Sequence, residues 1–149
     1  MGMEPIKQVL TVLDPNKTDY TEVPGSAGAF QVKPLGDDAA RQFKTYLSRI
    51  APGAGLTWHW HTLAEEFVIL KGTALTQIKD QPPVRLEAGA YSQFPGKTIH
   101  RFCNGGQDEC IVFAVGAAAY DIHWVDDGGN EISEDDAKLR RERESKTGW

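Results

Sequence analysis

Three of the chain's four histidines fall in two short clusters. His59 and His61 stand with Glu65 in Trp58-His-Trp-His-Thr-Leu-Ala-Glu65, and His100 closes Pro95-Gly-Lys-Thr-Ile-His100. Imidazole nitrogens and a carboxylate form a ligand set that holds a divalent metal and leaves coordination positions open for chemistry. A metal also gives a physical reason to gather such groups inside a protein, where each is costly to desolvate without a partner. On a strand, the two-residue spacing sends both imidazoles of His59 and His61 to one face and Trp58 and Trp60 to the other. A turn at Thr62–Ala64 is expected to let the next strand run back antiparallel and bring Glu65 beside the pair, with His100 arriving on a later strand. Taken alone, the His-x-His pair fits two surface histidines equally well.

Such a cluster needs a β framework, and the chain is punctuated for one. Pro and Gly recur at Pro15, Pro24-Gly25, Pro34, Pro52-Gly53, Gly72, Pro82-Pro83, Gly89, Pro95-Gly96, Gly105-Gly106 and Gly116. The runs between them are rich in β-branched and aromatic residues, the pattern of an all-β sandwich or barrel. The predicted strands are Lys7–Leu13, Gln42–Ile50, Leu56–His61, Glu66–Lys71, Ala74–Lys79, Val84–Leu86, Tyr91–Phe94, His100–Asn104, Cys110–Val115 and Tyr120–Val125. From Ser133 the pattern changes: Ser133-Glu-Asp-Asp136 resembles a capping box, acids crowd the first turn and bases follow from Lys138 to Arg143, predicting a short C-terminal helix. Ala137 and Leu139 are its only apolar residues, which predicts a solvated helix or frayed tail. Residues 1–132 are thus expected to form the barrel and 133–149 the helix or tail of the same domain.

The chain has 149 residues, room for one well-buried core. No run approaches the ~20 apolar residues of a membrane span, so no membrane role is expected. The net charge is −5, and Lys138, Arg140, Arg141 and Arg143 are interleaved with acids, which disfavours nucleic acid as a partner. Cys103 and Cys110 belong to no dense framework and are expected as reduced, buried thiols. The start, Met-Gly-Met-Glu-Pro-Ile-Lys, carries no apolar leader, so a cytoplasmic location is expected, with export the alternative should a signal peptide have been removed.

The glycine and proline spacings make a family resemblance specific. Gly53, His59, His61, Glu65 and Gly72 match the first signature motif of the cupin superfamily, and Gly89, Pro95, His100 and Asn104 match the second. The motifs, 53–72 and 89–104, span about a third of the chain. One position departs: Lys97 stands where the family has a glycine, with Gly96 one place earlier. The turn before His100 is therefore expected either to differ in backbone conformation or to carry a lysine at the pocket mouth. The resemblance is to small, single-domain, RmlC-like members. It implies a jelly-roll barrel, or double-stranded β-helix, with His59, His61, Glu65 and His100 turned inward as ligands. Iron or manganese would be the favoured metal, with nickel, zinc or copper as alternatives. Its six-residue spacing to Gly72 favours Glu65 over Glu66, which alternation sends outward.

What the resemblance implies for function is a metal-dependent, dioxygenase-type oxidoreductase acting on a small organic molecule in the barrel. Glu65 would be both a ligand and a base loosened by substrate. A non-catalytic module that senses or stores a small molecule or metal is the alternative, and a metal-independent sugar isomerase or epimerase a weaker one. Parity places Phe67, Ile69, Phe102 and Asn104 on the lumen side. Tyr46 or Thr45, and Tyr91 or Gln93, could supply a hydroxyl or amide, with Asn104 and Tyr91 as partners of the ligands. His123, Arg49 and Arg101 are read as structural or surface residues. Exposed strand edges need cover, which makes a homodimer the expected assembly.

Overall fold

Short strands separated by tight turns can bury an apolar face only by stacking into two sheets, and that is the arrangement in the computed structural model, which describes residues 19–38, 42–117 and 119–149. The strands are β1 (Thr21–Glu22), β2 (Phe30–Asp38), β3 (Phe43–Ile50), β4 (Gly55–Trp60), β5 (Glu65–Lys71), β6 (Thr73–Ile78), β7 (Val84–Glu87), β8 (Tyr91–Phe94), β9 (His100–Asn104), β10 (Cys110–Ala117) and β11 (His123–Trp124), followed by α1 (Glu134–Lys146). One sheet runs β1-β2-β3-β10-β5-β8 and the other β11-β4-β9-β6-β7, with antiparallel pairing throughout. This is the all-β jelly roll with a short C-terminal helix expected from the sequence. The predicted strand Lys7–Leu13 lies outside the described residues.

Alternation is cleanest along β10, where Cys110, Val112, Ala114 and Gly116 are buried and the residues between them half-exposed. The core lies between the sheets, with Phe67 and Phe30 each meeting the ring of Phe102 edge-on at centroid distances of 5.3 and 6.4 Å. Cys103 and Cys110 are buried free thiols.

Three local departures matter for the site. β2 was not foreseen, because Pro34 and Gly36 read as breakers. Its pairing with β3 slips between Pro34 and Gly36, while β1 pairs only as far as Val32, so Pro34 needs to supply no ladder hydrogen bond. β5 does not run back beside β4 as expected; it crosses to the opposite sheet between β10 and β8. Within β4 the pairing with β9 slips by one residue, from Leu56↔Phe102 to His59↔His100, a bulge that holds Thr57 and Trp58.

The helix is docked rather than solvated. Ser133 caps it by accepting from the Asp136 N–H, and it packs on β4 through Ala137, 0% exposed, and Arg141, 1% exposed, while Leu139 points to solvent. Gly55 makes room for this contact: a Cβ there would lie 2.6 Å from the Cys103 Cβ and 2.8 Å from the Arg141 Nε. Arg141 donates to the Gly53 and Trp149 main-chain oxygens at 3.1 and 2.7 Å, and Glu144 accepts from the Thr57 hydroxyl at 2.6 Å. The Arg101 guanidinium lies 3.6 Å from the Trp149 ring and 4.5 Å from the Trp58 ring.

Candidate metal centre

The bulge in β4 explains how the first two histidines come to face inward beside an inward leucine. Thr57 and Trp58 both point out, toward Glu144 and Arg101 respectively, so Leu56 on one side of them and His59 and His61 on the other all line the interior pocket. His59 then stands directly opposite His100 on β9, with ring centroids 4.3 Å apart, and His61 lies 5.0 and 5.4 Å from these two rings. All three are buried, and one nitrogen from each lies within 4.8 Å of the others.

Each imidazole is oriented through its other nitrogen. Nδ1 of His59 lies 2.7 Å from the Thr57 carbonyl, Nδ1 of His100 2.8 Å from the Thr98 carbonyl, and Nδ1 of His61 2.6 Å from the Asp121 carbonyl. A carbonyl can only accept, so Nδ1 carries the proton and Nε2 keeps its lone pair, the tautomer a metal ligand requires. Burial also keeps His59 and His100 neutral. It holds the His59 pKa well below 6.5, assisted by His100 and His61, and brings His100 down to about 3. Three convergent imidazole nitrogens fit a divalent cation.

Glu65 reaches this cluster from the opposite sheet. Its Oε2 lies 3.9 Å from His61 Nε2 and accepts a 2.5 Å hydrogen bond from the Tyr46 hydroxyl, while Glu66 is bonded outside by Tyr91 at 2.7 Å. Desolvation first, and then the Glu65 charge, raises the Tyr46 pKa well above 10, so this hydroxyl remains a donor. The metal-ready cluster proper is the three histidines, with Glu65 tied to Tyr46 beside it.

A model of the cupin domain family matches residues 46–116, the stretch that carries all of these groups. That stretch is a cupin domain. The polyketide cyclase RemF from Streptomyces resistomycificus superposes with a TM-score of 0.73 at 17% identity, covering 94% of this cupin and 98% of that chain. An RmlC-like cupin from Ralstonia eutropha JMP134 gives 0.65 at 20% identity, covering 92% and 87%. A candidate acetylacetone dioxygenase from Methylibium petroleiphilum PM1 gives 0.65 at 15% identity, covering 88% and 91%. At these identities the likeness is one of fold. No curated protein matches the sequence significantly.

The other candidate residues of this cupin take different roles. Asn104 is buried but bonds the Ile50 and Asp108 carbonyls and the Gly106 N–H, holding a turn rather than a ligand. Tyr91 is 61% exposed and serves Glu66. Ile69 is core, whereas Phe67 and Phe102 line the pocket and Phe94 stacks on His100 at 3.8 Å. Lys97 adopts the left-handed conformation, φ 62°, that the motif glycine would favour, and its N–H donates to the His61 carbonyl at 2.7 Å. Its side chain is exposed. His123 stays outside the cluster, stacked on Trp60 at 3.8 Å.

The segment Tyr120–His123 was the contribution not foreseen. Tyr120 walls the pocket with its ring 5.0 Å from His61. The Asp121 carboxylate takes hydrogen bonds from the Thr62 N–H and hydroxyl and lies 2.9 Å from His123, which fixes the carbonyl that orients His61. No helix among the described residues is long and apolar enough to cross a membrane.

Proposed function

We propose that the chain is a metal-dependent oxidoreductase of the dioxygenase type, acting on a small organic molecule that chelates the metal through its own oxygens. The observation that carries this reading is the triad of buried imidazoles, each with Nδ1 on a main-chain carbonyl and its ligand nitrogen turned to a common point. His59, His61 and His100 would hold the metal, with Glu65 as the fourth ligand. Iron or manganese is favoured, and nickel, zinc or copper would fit the same donors. When bound, the metal would supply Lewis acidity and a site for dioxygen.

The chain's own groups supply orientation and proton handling. Tyr46 holds Oε2 of Glu65, leaving Oε1 to ligate or to take a proton from an acidic substrate carbon or hydroxyl. Phe67, Phe94 and Phe102 exclude water from the space in front of the imidazoles. The likeness to a candidate acetylacetone dioxygenase agrees with a chelating substrate but rests on fold.

The test begins with elemental analysis of protein purified without chelator, beside His61→Ala and His100→Ala. Stoichiometric metal lost in both variants is expected, and a metal-free wild type would refute the reading. Oxygen uptake with β-diketones, thiols, phenols and small organic acids then separates enzyme from sensor, since a sensor consumes none. A homodimer belongs to the same proposal. Leu47, Phe113, Val68 and Tyr91 stand in register across four strands on the outer face of the six-stranded sheet, while α1 covers the other sheet, and light scattering reads the assembly directly.

A further inference from the structure

The space in front of the ligands has room for little more than the chelating head of an organic substrate. The interior pocket that contains the three histidines, Glu65 and Tyr46 has a volume of 50 Å³. A cavity needs about 10–15 Å³ of such volume to hold one water, so only a few waters or substrate atoms fit there. A second chamber of 350 Å³ adjoins it and shares Val23, Val32, Tyr46 and Tyr120 as common walls. That volume falls within the roughly 300–1,000 Å³ of pockets that enclose organic ligands.

The outer chamber has its own character. Pro24, Val32 and Pro34 make it apolar, and the Tyr46 and Tyr120 rings meet edge-on at its inner end, 6.4 Å apart. Lys44, with its ammonium 5.1 Å over the Tyr120 ring, and the exposed Glu22 stand at it with opposite charges, so the chamber asks for no net charge in its occupant. At the inner end the donors change to imidazole and carboxylate. One molecule spanning both spaces would need a compact, oxygen-bearing head and an apolar body.

We propose that the outer chamber seats that body. The substrate class is then a neutral, elongated molecule, such as an aryl- or long-acyl-substituted 1,3-dicarbonyl, whose two oxygens reach the metal past the Tyr46–Tyr120 pair. Val32 and Pro34 set the size of the body, and the imidazoles receive the head. This assignment rests on the metal-site reading above.

Two diketones with the same head test it, pentane-2,4-dione and 1-phenylbutane-1,3-dione, each titrated calorimetrically into iron(II)-loaded protein under nitrogen. The phenyl compound is expected to bind at least about tenfold tighter, from burial of its ring. Pro34→Trp, on a wall that the outer chamber does not share with the metal pocket, is expected to bring the two affinities within about twofold, with metal content unchanged. The comparison in wild-type protein needs no variant to fold. Pentane-2,4-dione bound with no preference for the phenyl compound overturns the chamber assignment alone. A protein that holds no iron, or binds neither diketone when loaded, overturns the metal-site reading and this inference with it.

Discussion

Replacing Arg141 with leucine asks whether an almost fully apolar-poor helix is held by a single buried cation. The side chain is 1% exposed, donates to the Gly53 and Trp149 main-chain oxygens, and lies 3.5 Å from the Glu144 carboxylate. Two hydrogen bonds from a charged donor are worth about 1.5–3 kcal/mol each, or about 3–6 kcal/mol together. Against this, Arg141 Nε and Nη1 are buried without a hydrogen-bond partner, and although Nη1 faces Glu144 Oε2 at 3.5 Å, removing the unpaired Nε recovers about 1–3 kcal/mol of desolvation. Glu144 keeps Thr57 and Arg101 on Oε1, while its buried Oε2 loses the Arg141 charge. The expected net loss is therefore about 3 kcal/mol, the low end of what breaking a buried ion pair does. Urea unfolding of chelator-treated protein reads it: with a slope of about 2 kcal/mol/M, the midpoint should fall by about 1.5 M. Leu139→Ser, on the solvent side, should change stability by less than about 0.5 kcal/mol. A loss below about 1 kcal/mol for Arg141→Leu would refute the docking argument and return the helix to the status of a solvated tail.

Asp121→Ala should weaken metal binding about 10- to 100-fold in a chelator competition, because the loop that presents a carbonyl to His61 loses its ties to Thr62 and His123. Unchanged affinity would show that His61 is oriented without that loop. Asn104→Ala should reduce stability by about 3 kcal/mol, roughly one for each of its three hydrogen bonds, with metal content intact. Metal loss at unchanged stability would put Asn104 back in the site. The hydrogen bond to Asp121, and then that to Glu131, raises the His123 pKa above 6.5. The stabilisation this brings is complete below 6.5 and fades as pH rises through the folded-state value. The stability difference between wild type and His123→Gln should accordingly shrink in alkali, and an NMR titration giving His123 at or below 6.5 would refute the pairing.

How much of this could be read from the sequence depends on what each feature costs to encode. Strand alternation is local, and it put His59 and His61 on one face and Glu66 on the side opposite Glu65, while the inward placement of the histidines came from the family resemblance. Tertiary pairing was not local. The move of β5 to the opposite sheet leaves no signature in Glu65–Lys71, yet it decides that Glu65 approaches the histidines from across the barrel. β2 was hidden by Pro34 and Gly36, which are tolerated where the pairing slips. The docking of α1 was hidden by Arg141, since an arginine reads as solvated unless its partners are known. One signal was present and went unread: Thr57-x-His59 and Thr98-x-His100 repeat the same pattern, and in both a threonine carbonyl orients the ring two residues on.

The bulge in β4 also sets an unusual rule for insertions and deletions. On a regular strand, loss of one residue turns every later side chain to the opposite face. β4 already carries one residue more than β9 between Leu56 and His59. Deleting Thr57 would therefore leave a regular strand on which Leu56, His59 and His61 still face inward and His59 still meets His100. What would disappear is the carbonyl that fixes the His59 tautomer and the hydroxyl on Glu144. At this point of the chain, strand length and ligand orientation are separable, so a one-residue deletion can retain the barrel and the histidine positions while releasing one imidazole to rotate.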